Sequence, residues 1–450
     1  MLQYRRTSIT ILVTLSLVYL YTLHSNLRDY SSPPWTHLTL DGENVLNNTL
    51  GFAEIFVINL PSRRDRRHAM AMAGAVSNLS FTFLEGLTGD SVPASSSAGK
   101  GTGKERDGGK PSRSGSAGAR GSWHSHMNAM QIIVTRGLGS ALVLEDDVDW
   151  DVRLKMQMGT FAKATVMWLD AEKEKRKLVS RWQSQRATNL PVGGSLESSL
   201  SEERGGPGSD LELDYRRPGE EELKRDAIPV PPKLLSNNMG RRIHTGSAYG
   251  DGWDVLWLGH CGADLPLEPP PALTISIPND NTVPAPKHLK PHPFALHDKL
   301  GEEYAAHTRV VHAANGNVCS LAYAVSHRGA RRLLRRLGRE GFVDQWDLML
   351  RDYCMGGYED RAGEHESSKE EAGGPPVCLT VQPPLISHHY AGDEGASVSD
   401  IRGQGGGLAR GKKGTPYVRL SVQENLSRLV AGFPENSLVD QLPDDGDPLW

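Results

Sequence analysis

The stretch ALVLEDDVDWD, residues 141–151, sets the apolar run Ala141–Leu144 directly against Glu145, Asp146, Asp147, Asp149 and Asp151. A short apolar run bounded by polar residues reads as a buried strand, and the acids then sit at its carboxyl end. Neighbouring carboxylates repel, and burial makes each charge costlier. The cluster is therefore favourable only where water screens it or a cation sits among it. Oxygen donors suit Mn²⁺ or Mg²⁺, which bind through one or two carboxylates completed by substrate phosphates. Asp147-Val148-Asp149 spells a literal D-x-D; a solvated turn is the plainer reading of the same residues.

Working outward, helices alternate with short strands. GSWHSHMNAMQIIVTRG, residues 121–137, repeats Trp123, Met127, Met130 and Val134 at spacings of three and four, which predicts a helix capped by Ser122 and ended by Gly137. EIFVINL, residues 54–60, and FTFL, residues 81–84, read as strands, with the basic turn PSRRDRRHAM between them entering a helix. Downstream, a buried strand is expected at 254–258. NVCSLAYAVSHRGARRLLRRLG supplies a strand and then an amphipathic helix sharing Ala330, Leu333, Leu334 and Leu337 on one face. FVDQWDLMLRDYC predicts a helix capped by Asp344, and PPVCLTVQPPLISHH one more strand with His388 and His389 behind it. Such alternation belongs to an α/β sheet with parallel strands, whose ligands bind beyond the carboxyl ends of the strands. Residues 91–122 and 185–250 are rich in Ser, Gly and charge and read as disordered inserts. Residues 262–300 are proline-rich and expected to be irregular; no internal repeat is apparent.

The chain has 450 residues, 38% of them hydrophobic, with 48 Gly and 28 Pro, which fits a core interrupted by inserts. A net charge of -4 from 50 Lys and Arg against 54 Asp and Glu gives no argument for a nucleic-acid partner. At the N-terminus, Arg5 and Arg6 precede an uncharged run from Thr7 to Leu23. At about 1.5 Å per residue the run reaches roughly 25 Å, which suits a signal anchor in a thinner membrane of the early secretory pathway. The arginines keep the N-terminus cytosolic, and no small-x-small cleavage site follows. Expected segments are an anchor at 1–24, a stalk at 25–50, a globular domain at 51–403 and a C-terminal extension at 404–450. A lumenal body would accommodate the sequons at Asn47, Asn78 and Asn425, and the four cysteines could pair there in an order the sequence does not assign.

Six of these stretches together resemble glycosyltransferase family 25. FVINLPSRRDRR is similar to its opening motif, GSWHSHMNAM to its Ser-His helix and ALVLEDDV to its metal-proximal acids. WDVLWLGHCG, LAYAVSHRGARRLL and DLMLRDYC follow in the family's order. The resemblance implies a GT-A type fold, a Rossmann-like mixed sheet flanked by helices, that takes UDP-galactose and Mn²⁺ or Mg²⁺ and transfers the sugar with inversion to a protein-linked or glycan hydroxyl. Carried over by position, Asn59, Arg63, Asp65 and Arg66 line the nucleotide side, Ser125 and His126 lie under the sugar-nucleotide, and Glu145 and Asp146 contact ribose or metal. Asp147, Glu145 and Asp149, with His388 or His389, are the candidate metal ligands. Asp347, and after it Asp344, are candidates for the base that takes the acceptor proton. The implied setting is a Golgi or ER membrane, type II, with the domain in the lumen. Two rivals remain open: a catalytically silent glycan-binding homologue, and a metal-dependent phosphoesterase, which would want more His and Asp ligands than the sequence places.

Overall fold

The alternation of apolar residues along its strands puts one core on either face of the main sheet. In the computed structural model, which describes residues 45–91, 116–188, 247–266, 272–289, 300–357, 374–392 and 413–448, the first half comprises β1 (Glu54–Asn59), α1 (Arg64–Val76), β2 (Thr82–Glu85), α2 (Ala117–Thr135), β3 (Ser140–Glu145), β4 (Val148–Trp150) and α3 (Leu154–Thr188). The second half comprises β5 (Val255–Gly259), β6 (Thr274–Ile277), α4 (Leu300–Glu303), β7 (Arg309–Ala313), β8 (Ala322–Ser326), α5 (His327–Glu340) and α6 (Trp346–Cys354). It continues with β9 (Cys378–Gln382), β10 (Ile386–His388), β11 (Tyr390–Ala391), β12 (Lys413–Gly414) and α7 (Leu426–Val430).

The sheet runs β2-β1-β3-β8-β5-β9-β7-β6, with β10 joining β5 and β4. β1 is parallel to β2 and β3, and β5 to β9, whereas β8 is wedged antiparallel between β3 and β5. The expected parallel rhythm is therefore a mixed sheet. Ile55, Val57, Leu142, Leu144, Leu256 and Leu258 face one core, closed by Met70 and Ala73 of α1 and by Met158 and Phe161 of α3. Phe56, Val143, Trp257 and Tyr323 face the other, closed by Met127, Met130 and Ile133 of α2, Leu333 and Leu337 of α5, and Met349 of α6. Three layers result, and β1 and β3 end side by side because they pair in register up to Ile58 and Glu145.

Several boundaries differ from expectation. α2 begins at Ala117, and its cap is Ser116, whose hydroxyl accepts from the Ala119 amide, so Ser122 lies inside the helix. Gly121 is required there, since a Cβ would meet the Leu87 carbonyl. Gly137 ends the helix as expected, at φ 63°. α3 continues to Thr188, past the expected start of the second insert. The proline-rich region contributes β6, which pairs with β7 at the sheet edge. The C-terminal stretch is part of the fold, since Val422 and Leu442 are buried. The cysteines pair as Cys261–Cys319 and Cys354–Cys378. Asn425 is wholly buried, its amide held by Ser421 and Val439 carbonyls and its oxygen by the Val439 amide, which removes it as a glycan acceptor in the folded chain. Asn78 is exposed. Among the described residues no helix is long and apolar enough to cross a membrane; the expected anchor and stalk up to residue 44 lie outside them.

Candidate active site

At the carboxyl end of the sheet, three chain segments meet around the acids. β1 ends in Asn59, whose Nδ2 donates to Asp146 Oδ2 at 2.8 Å and to the Arg63 carbonyl at 3.0 Å. In the first turn of α1, Arg66 Nη1 reaches Asp146 Oδ1 at 2.9 Å and Asp147 Oδ2 at 2.8 Å. From the other side β10 pairs antiparallel with β4, setting His388 opposite Val148. This brings His388 Nε2 to 3.2 Å from Asp147 Oδ2, while the His389 amide donates to the Asp147 carbonyl at 2.8 Å.

The acids differ in charge state because their partners differ. Burial pushes Glu145 up to about 8, with repulsion from Asp147 adding to it and the Ser320 hydroxyl only partly opposing. Burial and then Asp147 also raise Asp146 against Arg66 and Asn59. For Asp147 burial is outweighed by His388, then Arg66, with a further contribution from Arg63, and its carboxyl is held well below the usual range. Asp147 Oδ1 and His388 Nδ1 are buried without a hydrogen-bond partner. Among the described residues, no three His, Cys, Asp or Glu side chains converge in a metal-holding group, so the geometry offers the Asp147–His388 pair rather than the larger ligand set expected.

Behind the acids lies a second layer. Ser320 Oγ donates to Glu145 Oε1 at 2.8 Å. His126 Nδ1 is 2.8 Å from the Tyr323 hydroxyl, and its ring stacks on Trp346 at 5.1 Å, with Nε2 4.0 Å from Glu145. Burial lowers His126 to about 3, so the ring is neutral. Asp347, in the first turn of α6, accepts from the Cys319 amide at 2.9 Å, and its charge adds to the repulsion on Glu145. The Cys261–Cys319 disulfide ties down the loop that supplies both that amide and Ser320.

Other expected site residues are placed differently. Asp149 is fully buried and engaged through both oxygens: Oδ2 accepts from Thr415 Oγ1 at 2.7 Å and from Ser421 Oγ, and Oδ1 from the Trp150 and Gln423 amides at 2.8 and 3.2 Å. With its lone pairs filled by protein donors it is not a metal ligand. His389 Nδ1 turns to Thr415 Oγ1 at 2.9 Å, and burial lowers the ring's affinity for a second proton. Ser125 donates to the Gly121 carbonyl and accepts from the Leu87 amide, both at 2.8 Å, so it joins loop to helix rather than facing a ligand. Asp65 pairs with Arg63 at 2.9 Å at the helix start, where Arg63 holds its carboxyl low. Asp344 does not cap α6: Gln345 occupies the cap position, and Asp344 Oδ1 accepts from the adjacent Gln345 amide at 2.8 Å. Ser320, Tyr323, Thr415 and Ser421 escaped sequence reasoning. The first two stand in a motif already noted, where strand alternation puts Tyr323 on the α2 side, while nothing local marks the last two.

The acidic strand end, clasped by an arginine turn and a histidine strand in a three-layer α/β domain, lies beyond the carboxyl ends of the strands, the place where sheets of this class bind ligands. Residues 52–195, which carry β1, α2 and the acids, match the family model described as Glycosyltransferase family 25 (LPS biosynthesis protein). Procollagen galactosyltransferase 1 of Danio rerio is 32% identical over 146 residues, which cover 30% of this chain and 23% of that protein. The chain thus spans under a quarter of the length of this relative.

Proposed function

We propose that the chain is an inverting glycosyltransferase that moves galactose from UDP-galactose to a protein-linked or glycan hydroxyl, using Mn²⁺ or Mg²⁺. The observation that carries this reading is the meeting of Asp147 with both Arg66 at 2.8 Å and His388 at 3.2 Å, with Asp147 and Arg66 in the segment that matches family 25. The residues fit a divalent ion at one point, where Asp147 keeps one buried, unpartnered oxygen and holds the other 3.2 Å from His388 Nε2. Asp147 and His388 would hold the ion, with phosphate oxygens and water completing its shell. When bound, it neutralises charge developing on the leaving diphosphate. Asn59 and Arg66 fix Asp146 toward the nucleotide side. Asp347, whose Oδ2 accepts from the Cys319 amide at 2.9 Å, takes the acceptor hydroxyl's proton as the acceptor oxygen attacks the anomeric carbon from the face opposite UDP. UDP departs with the bonding electrons, and the configuration inverts.

A lumenal setting behind an N-terminal anchor at residues 7–23, in the Golgi or ER, agrees with two disulfides joining all four cysteines. The test is a screen of UDP-sugars with Mn²⁺ or chelator, with and without hydroxylated acceptor. UDP release that needs both metal and acceptor supports transfer. Release to water alone points to a phosphoesterase, and metal-dependent binding without release to a silent homologue.

A further inference from the structure

The buried acid next to the candidate metal pair has a task of its own. Thr415 has a single hydroxyl proton and donates it to Asp149 Oδ2 at 2.7 Å. The 2.9 Å contact between Thr415 Oγ1 and His389 Nδ1 therefore needs the proton on His389 Nδ1, donating to the hydroxyl. Asp149, Thr415 and His389 form one directed chain of hydrogen bonds, and it fixes both tautomer and ring orientation of His389. The backbone of His389 is fixed at the same time, since its amide donates to the Asp147 carbonyl and its neighbour Tyr390 pairs with Gly414, next to Thr415. Ser421, the Gln423 amide and the Trp150 amide hold Asp149 from the other directions. His388, one residue before this anchored histidine, is the ring that faces Asp147.

We propose that Thr415 is a positioning residue: the Asp149–Thr415–His389 chain ties the C-terminal segment to β10 and sets His388 against Asp147 for the diphosphate and its cation. This deepens the glycosyltransferase reading and rests on it for the identity of the ligand. The strut itself is a property of the ligand-free fold. Outer partners of this kind hold ligating side chains in orientation, and their loss costs about 10–100-fold in metal affinity or activity.

The test uses three variants of the full chain. Thr415→Val keeps shape and removes the hydroxyl, Thr415→Ser restores it, and Ser421→Ala removes a different donor to Asp149 that does not touch His389. Two readouts are taken: hydrogen exchange of the peptide carrying the His389 amide without ligand, and affinity for UDP in the presence of Mn²⁺. Thr415→Val is expected to speed exchange at His389 and weaken UDP about tenfold. Thr415→Ser should restore both, and Ser421→Ala should lower the melting temperature while changing UDP affinity less than threefold. Equal losses of affinity in Thr415→Val and Ser421→Ala, tracking melting temperature, would make the contact merely structural and overturn the proposal; so would unchanged exchange in Thr415→Val. If the wild type itself fails to bind UDP with Mn²⁺, the transferase reading fails and the ligand part of this proposal with it, and the exchange arm alone then decides whether the strut exists.

Discussion

Asp147 and Asp149 are two residues apart in one acidic motif, yet they sit in opposite circumstances. Asp147 keeps one buried oxygen without a partner and shares the other between Arg66 and His388. Asp149 accepts four hydrogen bonds, three of them from residues beyond 414. A carboxylate with spare capacity between a guanidinium and an imidazole is equipped for a ligand, and one saturated by neutral donors is a fastening. Proximity in a D-x-D does not make both aspartates ligands; what decides is which segments of the chain return to each.

The comparison is broken most forcefully at Asp149. Asp149→Ala leaves two buried hydroxyls and two amides without their acceptor and is expected to cost about 3–5 kcal/mol, as removal of one member of a buried charged network does; urea unfolding at neutral pH measures it. A loss below 1 kcal/mol would mean that water replaces the carboxylate and that the fastening is loose. Asp147→Ala is expected to do the reverse. Turnover should fall at least a hundredfold, about 2.7 kcal/mol of barrier, while the urea midpoint moves far less than in Asp149→Ala, because relief of Glu145 and Asp146 offsets the lost pairing with His388 and Arg66. Turnover within tenfold of wild type in this variant removes Asp147 from the site.

How far this division could be read in advance differs between fold and site. β1, β3, β5 and the Leu333–Leu337 face of α5 were legible because a buried strand or an amphipathic helix writes its environment into consecutive residues. β6 was hidden because four residues at a sheet edge among prolines carry too short a pattern. Within the site, the acids, Asn59, Arg66 and His388 carry chemistry in their side-chain type. Asp149 could not be told from Asp147, because its partners Thr415 and Ser421 lie 266 and 272 residues away, and nothing near the motif records their return. Asp344 misled for a related reason: a cap residue and the one before it differ by one backbone step, which composition does not fix.

The far half of the sheet sharpens the contrast by carrying buried histidines where the site end carries acids. Burial lowers both His260 and His312 to about 4. Because these folded values lie below the ordinary one, the unfolded chain binds the extra proton first as pH falls. The stability they contribute is present above about 6.5 and is lost between there and 4. Roughly 2 kcal/mol per ring should be gone at pH 5. Denaturation of the wild type and of His312→Gln at pH 7.5 and 5 isolates one ring, and equal pH dependence in the two chains would show that His312 accepts its proton without penalty. Glu145 runs the other way: its raised value favours the fold at low pH, and that share is lost as pH climbs toward 8.

The smallest expected effect belongs to the layer behind the acids. Ser320→Ala removes the 2.8 Å bond to Glu145 and should lower turnover about tenfold, roughly 1.4 kcal/mol, with KM for the donor little changed. A rise in KM without loss of turnover would instead place Ser320 among the groups that hold the donor in its ground state.

Calorimetric titration of UDP into the full chain most directly examines whether Asp147 and His388 hold a cation against a diphosphate. Binding is expected with Mn²⁺ in the wild type, abolished by chelator, and weakened at least tenfold in both Asp147→Ala and His388→Ala while their melting temperatures stay near that of the wild type. UDP bound with equal affinity in the chelated wild type, or in either variant with Mn²⁺, would contradict it.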